Sequence, residues 1–165
     1  MPDTKYTRDQ LYQARTFKTV RRPGVALELG TATFNIFTIA NSPVLVASLF
    51  GYCTELIAGA ALPRLQFTPT VGVETPLCAA AADIDTDAIG TLYSWDGLAA
   101  SQLIPSAVLG AMGLIATSEW DGKFIILAPG VINVTDATAA AVTGGLIDWY
   151  ITYLPLLDTG VITAA

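Results

Sequence analysis

Three carboxylates stand two residues apart in Asp83-Ile84-Asp85-Thr86-Asp87, a spacing that opens a calcium-binding EF-hand loop. Such a loop needs glycine at its sixth position, for the sharp turn, and a bidentate glutamate at its twelfth. Here those positions are Ala88 and Ser94. Asp83, Asp85 and Asp87 are therefore weak metal-ligand candidates, and neither a metal nor another cofactor is expected. Carboxylates alternating along an exposed edge also have a plainer use, which is to repel a neighbouring sheet. Glu119 and Asp121 flank an expected turn, and nothing brings two carboxylates together in a pocket as glycoside hydrolysis requires.

The chain contains no histidine. That removes the commonest general base, the Ser-His and Cys-His nucleophile pairs and every histidine metal site. Cys53 and Cys78 have no metal-ligand spacing and read as two buried thiols of a protein made in a cytosol. The first 24 residues are polar, without the apolar core of a signal peptide. Gly144-Gly145 lacks the lysine of a phosphate loop. Tyr52, Tyr93, Trp95, Trp120, Trp149, Tyr150 and Tyr153 either line a carbohydrate or peptide site or fill a core or interface. No catalytic residues are expected, and no enzyme.

The elements behind these residues follow from composition. Of the 165 residues, 53% are apolar and 13% charged, against about 25% charged in ordinary soluble domains. A monomer of this size would struggle to cover itself with polar groups, so much surface must be buried in lipid or against other subunits. Two uncharged stretches, 29–54 and 97–118, are long enough to span a bilayer. The first, however, carries the turn Asn41-Ser42-Pro43 near its middle, and the second carries Pro105, Gly110 and Gly113, so no membrane is expected. Charge is unevenly spread. Residues 1–22 hold Lys5, Arg8, Arg15, Lys18, Arg21 and Arg22 against Asp3 and Asp9, a balance of +4, while the rest carries −10. An acidic body without aromatics interleaved among the basic groups argues against nucleic acid. The basic arm suits an acidic surface, such as an adjacent copy, and its deletion as residues 2–22 should leave the body folded.

Thr7-Arg8-Asp9-Gln10 fits a capping box and predicts a short helix over 8–18, ended by Arg21-Arg22-Pro23-Gly24. Beyond it period-two patterns dominate. Strands are predicted over 33–40, 44–50 (closed by Gly51), 52–58, 64–68, 90–95, 123–128, 131–135 and 146–154, the last after a Gly144-Gly145 turn. In that strand Ile147, Trp149, Ile151 and Tyr153 face one way, and Asp148, Tyr150 and Thr152 the other. Residues 98–118 are ambiguous. Short strands separated by Gly and Pro turns predict an all-β fold, an antiparallel β-sandwich or jelly-roll-like barrel. The division is an arm over 1–24 and a single domain over 25–165.

Three stretches resemble a family of small tailed-phage virion proteins usually found beside the major capsid protein, the head decoration or cement proteins. The first is Phe34-Asn35-Ile36-Phe37-Thr38-Ile39 with Pro43-Val44-Leu45-Val46-Ala47-Ser48-Leu49-Phe50-Gly51-Tyr52-Cys53-Thr54, similar to the family's early hairpin. The second runs from Leu77-Cys78-Ala79-Ala80 through Asp83-Ile84 to Gly90-Thr91-Leu92-Tyr93. The third joins Pro129-Gly130-Val131-Ile132 to Gly144-Gly145-Leu146-Ile147-Asp148-Trp149-Tyr150, Tyr153-Leu154-Pro155-Leu156 and Asp158-Thr159-Gly160. Ala40-Asn41-Ser42 stands where the family commonly has glycines, and residues 1–22 and 98–120 match nothing in it.

The resemblance implies a non-enzymatic β-sandwich on a capsid surface, made in the host cytoplasm and partnered by the major capsid protein and by itself. A homotrimer is the expected assembly, because capsid lattices offer three-fold sites. The competing expectation is a tail, fibre or baseplate β-domain that binds a host-surface glycan.

Overall fold

The structure, a computed structural model, describes residues 16–26, 33–95, 97–106, 124–136 and 144–165. These residues form an all-β sandwich of two antiparallel sheets. The first sheet has the order β1 (Lys18–Ala26), β10 (Gly144–Pro155), β3 (Val44–Ala58), β6 (Leu92–Ser94), β7 (Ile104–Pro105), with β8 (Ile125–Leu127) on the other half of β3. The second has the order β11 (Val161–Ala164), β2 (Thr33–Ala40), β9 (Gly130–Asp136), β4 (Pro63–Pro69), β5 (Thr75–Pro76).

The core lies between the sheets, and period-two alternation decides which side chains reach it. On β10, Ile147, Trp149, Ile151 and Tyr153 are all buried, as their alternation predicts. From the second sheet, Phe37, Leu65, Ile132 and Val134 meet them in one cluster. Strand β2 coincides with the predicted 33–40, and Asn41 ends it in the left-handed region at φ 68°. The two strands predicted over 44–58 are one 15-residue strand. Gly51 does not close a strand but sits opposite Trp149 in the ladder. A Cβ at Gly51 would lie 3.2 Å from the Trp149 ring and 2.8 Å from Ile147 Cγ2, so the glycine is the seat of the indole. Gly144 and Gly145 likewise begin β10 rather than forming a turn.

The largest correction concerns the arm. Residues 8–15 of the predicted helix lie outside the described residues, but Lys18 to Ala26 form an edge strand paired to β10. Arg21-Arg22-Pro23-Gly24 ends no helix. It makes a bulge in that edge, where a proline costs no ladder hydrogen bond. Gly24, at φ 58°, turns its N–H onto Asp148 Oδ1 at 2.7 Å. Arg21 donates to Asp148 Oδ2 from Nη2 at 2.6 Å and from Nε at 3.0 Å. The partner strand is more than a hundred residues away in sequence, which no local pattern reveals. The body therefore starts by Lys18, not after residue 24.

This changes the expected truncation behaviour. A chain lacking residues 2–22 loses Val20 from the core margin, unpairs the edge of β10 and strips Asp148 of its guanidinium. It should lose about 2 kcal/mol or more, or about 4–8 °C in Tm, by thermal denaturation.

Both cysteines are buried and neither is in a disulfide. The Cys53 thiol donates to the Glu55 carbonyl at 3.0 Å, and Cys78 Sγ accepts the Leu65 N–H at 3.2 Å. Burial pushes the Cys53 thiol up, and the nearby Asp87 and Glu55 charges push the same way against its backbone hydrogen bond. Thiol titration should accordingly find no rapidly reacting cysteine in the folded protein and both in denaturant.

Candidate interaction surface

Asp83, Asp85 and Asp87 are held apart by separate hydrogen bonds. Asp83 Oδ1 accepts the N–H groups of Ala61 and Asp85, each at 3.0 Å. Asp85 Oδ1 accepts Gly59 N–H at 2.9 Å, and Asp87 Oδ2 accepts the Tyr93 hydroxyl at 2.8 Å. Asp83 and Asp85 thus tie their loop to the connection between β3 and β4, and Asp87 ties it to β6. Burial, then the hydrogen bond and charge of Asp87, hold the Tyr93 phenol far above its ordinary range, so it remains a donor. Among the described residues no three His, Cys, Asp or Glu side chains group as a metal ion would need. Glu119, Trp120 and Asp121 lie outside those residues.

The aromatic residues divide into two sets. Tyr93, Trp149 and Tyr153 are buried, the Tyr153 hydroxyl accepting Ile162 N–H at 3.1 Å. Trp95 is half-buried and donates to the Leu77 carbonyl at 3.0 Å. Tyr52 and Tyr150 instead lie on the outer face of the first sheet, beside Phe50. The ladder places Arg21, Tyr150, Phe50, Ser94 and Ile104 in one row across that face. Asp148, Tyr52 and Leu92 form the next row, and Leu154, Leu45 and Ile126 another. The Phe50 and Tyr150 rings stack at 5.0 Å with 8° between their planes. This surface was not evident from the sequence, because β3 and β10 had to be placed side by side before the two rings could meet.

The outer face of the second sheet is different in kind. Its rows carry Thr33, Thr135 and Arg64, then Asn35, Asn133 and Gln66. Asn133 Nδ2 donates to Thr68 Oγ1 at 3.2 Å, Thr68 to Glu74 at 3.0 Å, and Thr135 to Gln66 Oε1 at 3.0 Å. The second sheet's outer side is polar and hydrogen-bonded, with Gln66, Asn133 and Thr135 buried, whereas the first sheet's outer side mixes apolar residues with Arg21, Asp148 and Ser94.

The two ends of the sandwich also differ. At one end the β2–β3, β4–β5 and β10–β11 turns meet, joined where Leu156 N–H reaches Pro43 O and Asn41 reaches Thr159 O. Val71 and Val73 there are 91% and 82% exposed, with Leu156 and Leu157 also exposed. Phe17 and Phe124, both exposed, stack at 6.4 Å beside the start of β1. The opposite end gathers Glu55, Asp83, Asp85, Asp87 and Asp136 around the β3–β4 connection.

Of the six basic arm residues, Lys5, Arg8 and Arg15 lie outside the described residues, while Lys18, Arg21 and Arg22 are on β1. Since Arg21 is paired within the chain, the segment ahead of β1 keeps three basic groups against two acidic ones. Among the described residues no helix is long and apolar enough to cross a membrane. Comparison with protein-family models, with curated proteins and with solved structures finds no match to this chain.

Proposed function

We propose that this protein is a non-enzymatic structural subunit of a tailed-phage virion, a decoration or cement protein bound to the shell of the major capsid protein. The resemblance in sequence motivates the reading, and the apolar end of the sandwich is the observation that carries it. Val71 and Val73 on the β4–β5 turn and Leu156 and Leu157 on the β10–β11 turn are exposed at the same end of the sandwich, the end at which β1 starts. Large apolar side chains exposed at one end of a domain suit an interaction site, and burying a valine against a partner contributes about 1.5 kcal/mol or more.

Purified virions of the phage encoding this chain should contain it in fixed ratio to the shell protein. Val71→Ser with Val73→Ser should weaken its rebinding to stripped particles about 100-fold, from two such burials lost, with an unchanged melting curve. Absence of the protein from purified particles, or full rebinding by the double variant, overturns the reading. The second reading, a tail, fibre or baseplate domain that binds a host-surface glycan, draws on the Phe50–Tyr150 ring pair beside the Arg21–Asp148 ion pair. Glycan-array binding that Tyr150→Ala abolishes would favour it.

A further inference from the structure

We propose that the outer face of the first sheet is a contact between two copies of this chain, related by a two-fold axis. The proposal stands independently of the shell-binding reading, since it concerns a different surface and a different partner.

A β-sandwich needs one apolar face per sheet, the one turned inward. Here the second sheet obeys that rule and the first does not. Outside the core the first sheet carries Leu45, Phe50, Ile104, Ile126, Tyr150 and Leu154 beside Arg21, Asp148, Ser94 and Thr152, whereas the same face of the second carries threonines, Arg64, one valine (Val131) and amides, with Gln66, Asn133 and Thr135 themselves buried. Ile126 and Ile104 are 60% and 49% exposed. An apolar face so placed calls for a covering surface, and its charge and area favour a second copy of itself.

Charge is the first argument. The chain has a formal net charge of −6, so two copies repel in most orientations. In a two-fold contact each patch meets its own duplicate, and any net charge on it is doubled. Among the described residues of this face the charged groups in the central rows are Arg21 and Asp148, and they neutralise each other at 2.6 Å. These rows carry no net charge. A carboxylate-rich surface such as the 83–87 end could not meet itself in this way. A three-fold ring needs two unlike patches that fit each other, whereas this face matches itself in charge and polarity.

Area is the second argument. The path through the first sheet is five strands wide. At about 4.8 Å per strand and about 3.3 Å per residue over roughly eight residues, the face measures on the order of 600 Å². Two copies would bury about 1,200 Å² together, at the lower bound for a specific protein–protein interface. Preorganisation adds to this. The stacked Phe50 and Tyr150 are already held against each other, so little side-chain entropy remains to be lost on association. Two such sheets would pack face to face about 10 Å apart, as sandwich layers do.

The full-length protein should sediment at twice the chain mass at micromolar concentration, and Tyr150→Glu should raise the dimer Kd at least 100-fold. Because that variant sets like charges against each other, Phe50→Ser provides a neutral second test, expected to raise Kd about tenfold. Circular dichroism checks that both remain folded. A site-specific cross-link gives an independent readout. Thr152→Cys on this face should yield a covalent dimer with a short bis-maleimide, and Thr163→Cys on the second sheet should not. A monomer at high concentration overturns the proposal, as does an oligomer indifferent to both variants or one cross-linked through Thr163→Cys. Loss of particle binding by the Val71 and Val73 variant with the dimer intact would separate this contact from the shell contact.

Discussion

Trp149→Ala is expected to lower the unfolding free energy by about 3–5 kcal/mol, the range for removing a large buried aromatic side chain. Trp149 is fully buried, with 0% exposure. Its ladder partners are Arg22 on β1 and Gly51 on β3, and its ring lies over the glycine. The indole Nε1 is buried without a hydrogen-bond partner, so the loss is one of packing and not of a polar contact. Strands on both sides keep the vacated space from collapsing, which places the cost in the upper part of the range. Urea unfolding should report it directly, with a fall in Tm of roughly 10 °C. Gly51→Ala should act in the same direction by about 1–3 kcal/mol, because its Cβ meets Ile147 at 2.8 Å and must displace the same ring. A Trp149→Ala protein that melts like the parent would move this residue out of the core.

Gly130→Ala is expected to cost about 3 kcal/mol, the upper end of ordinary overpacking. A Cβ there would stand 2.5 Å from the Thr68 carbonyl oxygen, 2.7 Å from Pro69 Cα and 2.9 Å from the Phe67 ring. Two of these three atoms are backbone of β4 and cannot rotate away. The strand would have to part from β9 at the Pro69–Gly130 pair, where Thr70 N–H also reaches the Pro129 carbonyl at 2.9 Å. Gly144→Ala is the matched control. Nothing lies within 4 Å of its Cβ position, so that change should be neutral or stabilise by up to about 1 kcal/mol. Equal effects at the two positions would refute the close approach of β9 to β4.

What could be read locally was the side of each strand that faces inward. β2 was legible from end to end because Thr, Phe and Ile are dense there and Asn41 supplies the turn. β10 was legible because its alternation is uninterrupted from Leu146 to Leu154. β1 was missed because a bulge at Pro23-Gly24 breaks its alternation, and its basic residues resembled a solvated arm. β5, β7 and β11 were missed because two to four residues carry no period of their own. The alternating aspartates were legible as a cluster but not in their use. Which backbone amides they would accept depended on how the β3–β4 connection folds back beside them.

The amino-acid sequence by itself determined that this chain is all-β, that histidine-based chemistry is closed to it, and that its charge is sparse and unevenly spread. Those conclusions rest on composition and on the two-residue repeat, which need no knowledge of neighbours. Only the tertiary structure decided which strands lie side by side, and every surface follows from that pairing. Arg21 became part of the body because Asp148 stands beside it on β10, and Phe50 and Tyr150 became a stacked pair because β3 and β10 run antiparallel in that register. The physical reason is the range of the interactions. A side chain's face is set by the backbone next to it, whereas its partner is set by strand pairing across a hundred residues, where no local period reaches.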